Sequence, residues 1–341
     1  MKRRRCSLAN HTRGWWISED GSDSLSASFR EDIEPAELGV GTVTIDVDYS
    51  ALNYKDALAL GGSRGVVRTT PLIPGIDAAG IIRESSDPGF GVGEKVVLTG
   101  WGYGESRHGG LAETLVADSQ HLMKIPGALS SYQAACFGTA GFTAALAISA
   151  LEKSGVVATG GLPIAVTGAA GAVGSWSVAL LARRGYRVSA ITGRPHEAEY
   201  LRSLGAHDVL SRHEMIDLGK RPLGSETFGG VIDVAGGELL AALLSMLASN
   251  GVAVACGLAG GSSLPTTVLP FILRGISLIG INSVTKDTEV RERAWSDLAE
   301  LASGLPLDTM ATTIELGSAL SCAPTVLGGA TRGRVVVNVR A

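Results

Sequence analysis

The chain reads as an α/β protein, a doubly wound parallel sheet combined with a β-rich, partly open barrel. Three observations predict this. Residues 15–130 are crowded with short β-like runs broken by Pro and Gly, the pattern of a partly open barrel. After Ser131 the pattern turns helical and then alternates between strand and helix, with six strands in all, the doubly wound count. The stretch Ile164–Arg194 holds an apolar strand, a glycine-rich turn, a helix and a second strand ending Thr192-Gly193-Arg194. A chain of 341 residues exceeds what one core usually supports. The expected division is a loose extension over 1–12, a β-rich domain over 13–133, a doubly wound domain over 134–284, and a return to the β-rich domain over 285–341.

Element by element, the first strand is expected at Trp15-Trp16-Ile17, after a basic but otherwise polar start. Further strands follow at Val43–Tyr49, Ala79–Ile82, Lys95–Leu98 and Glu113–Val116. Ser131–Leu151 has no breaker stronger than Gly138 and Gly141 and predicts a helix. Strands at Ile164–Thr167 and Val188–Ile191 flank a helix whose period is carried by Val173, Trp176, Leu180 and Leu181, with Gly185 as its cap. Tyr200–Leu204 closes a helix capped by Gly205. Later strands are expected at Val209-Leu210, Gly230–Val234, Gly251–Cys256 and Ser277–Ile281, with Gly237–Ser249 helical between two of them. Thr288–Ser303 predicts another helix, and Arg334–Val339 a final strand.

The glycine-rich turn carries the chemistry. Its spacing is G-x-x-G-x-x-G over Gly168, Gly171 and Gly174, with Ala169 where the usual fingerprint has a glycine. Small residues there let backbone N–H groups approach a pyrophosphate, whose charge the helix N-terminus favours. About 20 residues on, where an NAD site usually carries Asp or Glu, stand Thr192, Gly193 and Arg194. An arginine fork suits a 2′-phosphate and no carboxylate is there to repel it, so the expected cofactor is NADPH.

Composition excludes several classes. A net charge of −4 gives no basic field for nucleic acid, and no run of 18 apolar residues marks a membrane span. Cys6, Cys136, Cys256 and Cys322 are far apart, and the six histidines show no i, i+4 pairing, so no metal site is expected. Lone cysteines fit reduced thiols in a cytoplasmic protein.

Four segments narrow the reading: Leu52-Asn-Tyr54-Lys-Asp56-Ala-Leu, Pro74-Gly-Ile-Asp77-Ala-Ala-Gly80, Leu98-Thr-Gly-Trp101-Gly, and Ala255–Leu273 with its Cys-Gly-Leu-Ala-Gly-Gly start. With them the chain, from about residue 15 onward, resembles the medium-chain dehydrogenase/reductase superfamily, in its zinc-free acryloyl-CoA reductase branch, also labelled quinone oxidoreductases. The resemblance implies a Rossmann domain and a GroES-like domain. It places the pyrophosphate on Ala170, Gly171, Ala172 and Val173, and the adenosine phosphate on Thr192, Gly193 and Arg194, with Arg212 facing that phosphate. Leu258, Ile272 and Ser283 would cover the nicotinamide half, and Tyr54 would lie beside the nicotinamide as the catalytic candidate. Zinc members carry a ligand cysteine near Asn53 and Gly-His-Glu where this chain has Gly75-Ile76-Asp77. Both ligand positions are lost here.

The implied reaction is NADPH-dependent reduction of a short 2-enoyl-CoA, acryloyl-CoA to propanoyl-CoA being favoured. Reduction of a quinone or free enone is the alternative, and a non-catalytic NADPH-binding protein the second. Arg64, Arg68, Arg107 and His108 are candidates for the anionic CoA handle. A homodimer is expected, with Ser277–Ile281 extending a sheet across a two-fold axis.

Overall fold

A computed structural model describes residues 11–19, 21, 24–158 and 161–341. Cys6 and most of the expected N-terminal extension lie outside them. The chain forms two units. The first contains residues up to Gly138 together with Thr312–Ala330 and Val335–Ala341; the second contains Thr139–Ala311 and Thr331–Arg334.

The first unit opens with β1 (Thr12–Glu19) and β2 (Leu25–Ile33), an antiparallel pair. β2 escapes sequence reading because its Ser, Arg and acidic residues leave it mostly exposed, with no apolar alternation to detect. Its contact with β1 includes an edge-on Trp15–Phe29 pair at 5.5 Å. Then come β3 (Val43–Ala51), helix α1 (Tyr54–Leu60), β4 (Asp77–Ser85), β5 (Lys95–Thr99), β6 (Thr114–Ala117) and β7 (Leu122–Lys124). Helix α2 (Ser131–Lys153) breaks at Gly138, whose φ of 45° and ψ of −150° are not helical. By length and apolarity α2 would cross a membrane, at a mean hydropathy of 1.7. However, 83% of its most apolar stretch is buried inside the protein, so it is a core helix.

The second unit continues with β8 (Ile164–Val166), α3 (Ala172–Arg183), β9 (Val188–Thr192), α4 (Ala198–Ser203), β10 (Asp208–Ser211) and α5 (Arg212–Leu218). β11 (Phe228–Asp233), α6 (Gly237–Ser245), β12 (Leu247–Ala255), α7 (Leu269–Arg274) and β13 (Ser277–Gly280) complete its sheet, and α8 (Thr288–Ala302) and α9 (Leu307–Met310) follow. The six strands run parallel in the order β10-β9-β8-β11-β12-β13, the doubly wound topology. Leu243, Leu244, Leu247, Phe228 and Ala253 sit in its core. Helix α6 ends four residues earlier than Gly237–Ser249 predicts. Leu247 is fully buried and pairs with Phe228, so tertiary pairing takes it into a strand although its apolar spacing also suits a helix.

The chain then returns to the first unit through β14 (Ala311–Glu315), α10 (Ala319–Leu327) and β15 (Arg334–Asn338). There β14-β15-β3-β4-β5-β7 form a sheet, with β6 paired to β3, and it does not close into a barrel. Trp15, Ile45, Leu98, Leu115 and Val337 fill its core, and the Trp15 indole N–H donates to the Leu316 carbonyl at 2.8 Å.

Candidate active site

In the second unit, the turn between β8 and α3 is braced from below. Thr167 donates its hydroxyl proton to Asp233 Oδ1 at 2.7 Å and accepts from the Val234 N–H at 2.9 Å. Asp233 Oδ2 accepts from Gly236 N–H at 2.7 Å, and burial raises the carboxyl above its usual range against these hydrogen bonds. Gly174 packs α3 onto the turn: a Cβ there would lie 2.3 Å from the Gly168 carbonyl oxygen. Gly171 caps the helix with extended backbone, and the nearest atom to a Cβ on it would be 3.3 Å away.

Ala170, Gly171, Ala172 and Val173 therefore come together in a shallow cradle, lined by first-turn N–H groups that have no intrahelical acceptor. The cradle fits a pyrophosphate, because what fills it is backbone donors and no bulky or acidic side chain.

At the end of β9, Thr192 Oγ1 accepts from Arg194 N–H at 3.0 Å. The Arg212 guanidinium lies over Gly193, its central carbon 3.2 Å from where a Cβ would stand. Arg194 is less free than the sequence suggests. Its Nη1 donates to the Thr331 carbonyl at 2.9 Å and lies 3.8 Å from the buried Glu197 carboxylate. Thr192, Gly193, Arg194 and Arg212 are thus assembled at one strand end.

The residues expected over the nicotinamide half are more dispersed. Leu258 lines an open groove of about 440 Å³ with Ala255, Cys256, Gly257, Gly280, Ile281 and Asn282, at the carboxyl ends of β12 and β13. Ser283 follows directly, its carbonyl accepting from the buried Arg291 at 3.1 Å. Ile272 sits on α7, and both it and Leu258 are largely exposed. Burial and the Asp233 charge push the Cys256 thiol up to about 12, against its acting as a nucleophile.

In the first unit, Tyr54 occupies the first turn of α1 and is half exposed, at 51%. The helix start is fixed by a capping interaction. Asp56 Oδ2 accepts from both the backbone N–H and the side-chain amide of Asn53, each at 2.8 Å, while its Oδ1 accepts from Ile76 N–H at 2.8 Å. The same Asn53 amide donates to Asp77 Oδ2 at 2.9 Å. The Asn53 amide therefore bridges two buried carboxylates, Asp56 and Asp77. Among the described residues, no group of three or more His, Cys, Asp or Glu is arranged to hold a metal ion.

Lys55 and Arg68 approach the buried Glu105 at 2.8 and 3.9 Å. Arg64 pairs with Glu19 at 3.1 Å, and Arg107 with Asp118 at 2.8 Å. His108 stacks on Trp16 and accepts from Ile73 N–H at 2.9 Å, and burial lowers its pKa. Thr167, Asp233, Glu105 and Glu197 belong to no motif that the sequence shows. Only Asp233 carries a signal, an acid ending the apolar run Gly230–Ile232.

The chain has clear relatives among known proteins. Residues 39–127 match the alcohol dehydrogenase GroES-like domain family, and residues 172–302 the zinc-binding dehydrogenase family. The chain is 43% identical to acrylyl-CoA reductase AcuI of Ruegeria pomeroyi over 95% of its own length and 98% of that protein's. Its fold superposes on the yhdH oxidoreductase from Salmonella enterica, crystallised with NADP, with a TM-score of 0.92 and 42% identity, covering 96% of this chain and 100% of the other. It superposes also on Bacillus subtilis yhfP, crystallised with NAD, with a TM-score of 0.91 and 38% identity, covering 96% and 99%. The chain belongs to the medium-chain dehydrogenase/reductase superfamily.

Proposed function

We propose that the protein is an NADPH-dependent reductase of the carbon–carbon double bond of a short 2-enoyl-CoA, with acryloyl-CoA to propanoyl-CoA as its reaction. The observation that carries this is the near full-length likeness to an acrylyl-CoA reductase, joined to a cradle and an arginine cluster suited to a 2′-phosphorylated dinucleotide. The roles assigned to Ala170–Val173, Thr192, Gly193, Arg194, Arg212, Leu258, Ile272 and Ser283 are cofactor binding.

NADPH, held by these residues, would supply the hydride that the β-carbon of the unsaturated thioester takes up. Charge then develops on the thioester oxygen, which hydrogen-bond donors stabilise without a metal. Tyr54 either delivers the proton that the α-carbon takes up or orients the nicotinamide, and the Asn53–Asp56 cap holds its helix turn. Lys55 and Arg68, sharing one carboxylate, leave a net positive charge suited to a CoA phosphate. The exposed edge strand β13 supports a homodimer by sheet extension, and Cys136, Cys256 and Cys322, none of them in a disulfide, fit a reducing cytoplasm.

NADPH oxidation measured side by side with acryloyl-CoA, crotonyl-CoA, acrylate and a benzoquinone tests the assignment. A dedicated CoA enzyme loses efficiency on truncated substrates, as remote binding energy disappears. Comparable efficiency with benzoquinone and acryloyl-CoA would move the assignment to a quinone reductase. Tight NADPH binding without turnover of any of the four would make the protein a non-catalytic binder.

A further inference from the structure

Arg332 stands where no sequence motif marks a site. Its segment, Thr331–Arg334, belongs to the nucleotide-binding unit although its neighbours in the chain do not. Gly333 N–H donates to the Ala170 carbonyl at 2.9 Å, and Gly333 pairs with Gly171 in an isolated bridge. Gly333 has φ 56°, and a Cβ on it would lie 2.1 Å from the Met310 carbonyl oxygen, so only glycine lets the segment approach this closely. Arg332 is thereby delivered beside the cradle that sequence reading assigns to the pyrophosphate.

Its side chain meets the residues at the end of β9. Arg332 Nε lies 2.5 Å from Glu197 Oε2, and its guanidinium sits 5.0 Å from the centre of the Tyr200 ring. Arg194 approaches the other oxygen of the same carboxylate and donates to the Thr331 carbonyl. The Glu197 side chain is 5% exposed and that of Arg332 50% exposed. One buried carboxylate between two guanidinium groups leaves a positive charge, and Arg212 adds another over Gly193. The half-exposed guanidinium keeps N–H donors for an anion, while the ring and the carboxylate hold it in one orientation. Preorganisation of this kind lowers the entropic cost of binding.

We propose that Arg332 is, together with Arg194, a ligand of the cofactor's adenosine 2′-phosphate, and that Glu197 is the positioning residue that presents both guanidinium groups. The proposal rests on NADPH being the cofactor.

The test uses the full chain and its Arg332→Gln, Arg332→Lys and Arg194→Gln variants. Adenosine 2′,5′-bisphosphate and AMP are titrated by calorimetry, and NADPH and NADH by fluorescence. Arg332→Gln should weaken the bisphosphate and NADPH by roughly tenfold while leaving AMP and NADH within about twofold. Arg332→Lys, which keeps the charge but loses the fork, should fall between and stands in if the glutamine variant does not fold. Unchanged NADPH affinity in Arg332→Gln, or equal weakening of all four ligands, overturns the proposal. If Arg194→Gln loses NADPH selectivity while Arg332→Gln keeps it, the proposal alone fails. A wild-type protein that binds NADH as tightly as NADPH overturns the proposal together with the cofactor reading beneath it.

Discussion

Tyr54 is the residue on which the proposed chemistry turns, and its environment makes the role measurable. Its phenol is half exposed, and the backbone of its helix turn is held by Asn53 and Asp56, so Tyr54→Phe should keep the fold. If the phenol delivers a proton, turnover should fall by ~10²–10⁴-fold. If it only orients the nicotinamide, the loss should be nearer tenfold, from about 1.4 kcal/mol. Single-turnover kinetics with NADPH affinity measured separately separates the two, and wild-type values for both would reduce Tyr54 to a packing residue. Asp56 offers a pH test. Burial first, and then the Asp77 charge, raise its carboxyl from 3.8 to about 6 against the hydrogen bonds from Asn53 and Ile76. The folded carboxyl keeps its proton to higher pH than the unfolded one, so this group's contribution is fully present below about pH 4 and is lost as pH rises to about 6. The lost contribution is roughly 3 kcal/mol. Urea unfolding of wild type and Asp56→Asn at pH 4, 5, 6 and 7 should show the wild type losing stability relative to the variant across that window. A constant difference would mean that Asp56 ionises normally.

The β8–α3 turn separates binding from packing within one element. Gly174→Ala forces a methyl to 2.3 Å from the Gly168 carbonyl and should cost ~1–3 kcal/mol in stability. Gly171→Ala places its methyl 3.3 Å from the Gly168 carbonyl oxygen, a much milder contact, and otherwise only weakens the helix cap. It should therefore melt close to wild type yet bind NADPH much more weakly; a variant with unchanged NADPH affinity would show that the cradle does not hold the pyrophosphate. This turn was also the most legible part of the sequence, because its glycines, its flanking apolar strand and Arg194 lie within one continuous segment. The six-strand alternation was legible for the same reason, since each βα unit is local. What escaped was non-local or polar. β2 is too exposed to show an apolar period, and Leu247 is assigned to a strand only by its pairing with Phe228. Glu197 looks like an ordinary acid, and Asp233 marks only the end of an apolar run, until Arg332 and Thr167, distant in sequence, are placed against them.

At the scale of the molecule, the substitution of a hydrogen-bonded amide for a metal ligand predicts a chelator-resistant enzyme. Asn53 already commits its amide to Asp56 and Asp77, so freeing those oxygens for a cation would break existing bonds. Dialysis against a strong chelator should leave both activity and melting temperature unchanged. One zinc per chain whose removal abolishes turnover would contradict this account. A different consequence follows from the four residues Thr331–Arg334. They complete the nucleotide-binding unit from 137 residues beyond Arg194, while the stretches on either side of them, Thr312–Ala330 and Val335–Ala341, belong to the other unit. The dinucleotide fold is consequently not a self-contained cassette. A chimaera that imports Thr139–Ala311 from a relative acquires that relative's glycine-rich turn but retains the host's Arg332 and Gly333. If Arg332 holds the 2′-phosphate as proposed, cofactor preference in such hybrids should come from both parents, and a crossover that respects the fold's obvious boundary would still cut through the recognition site.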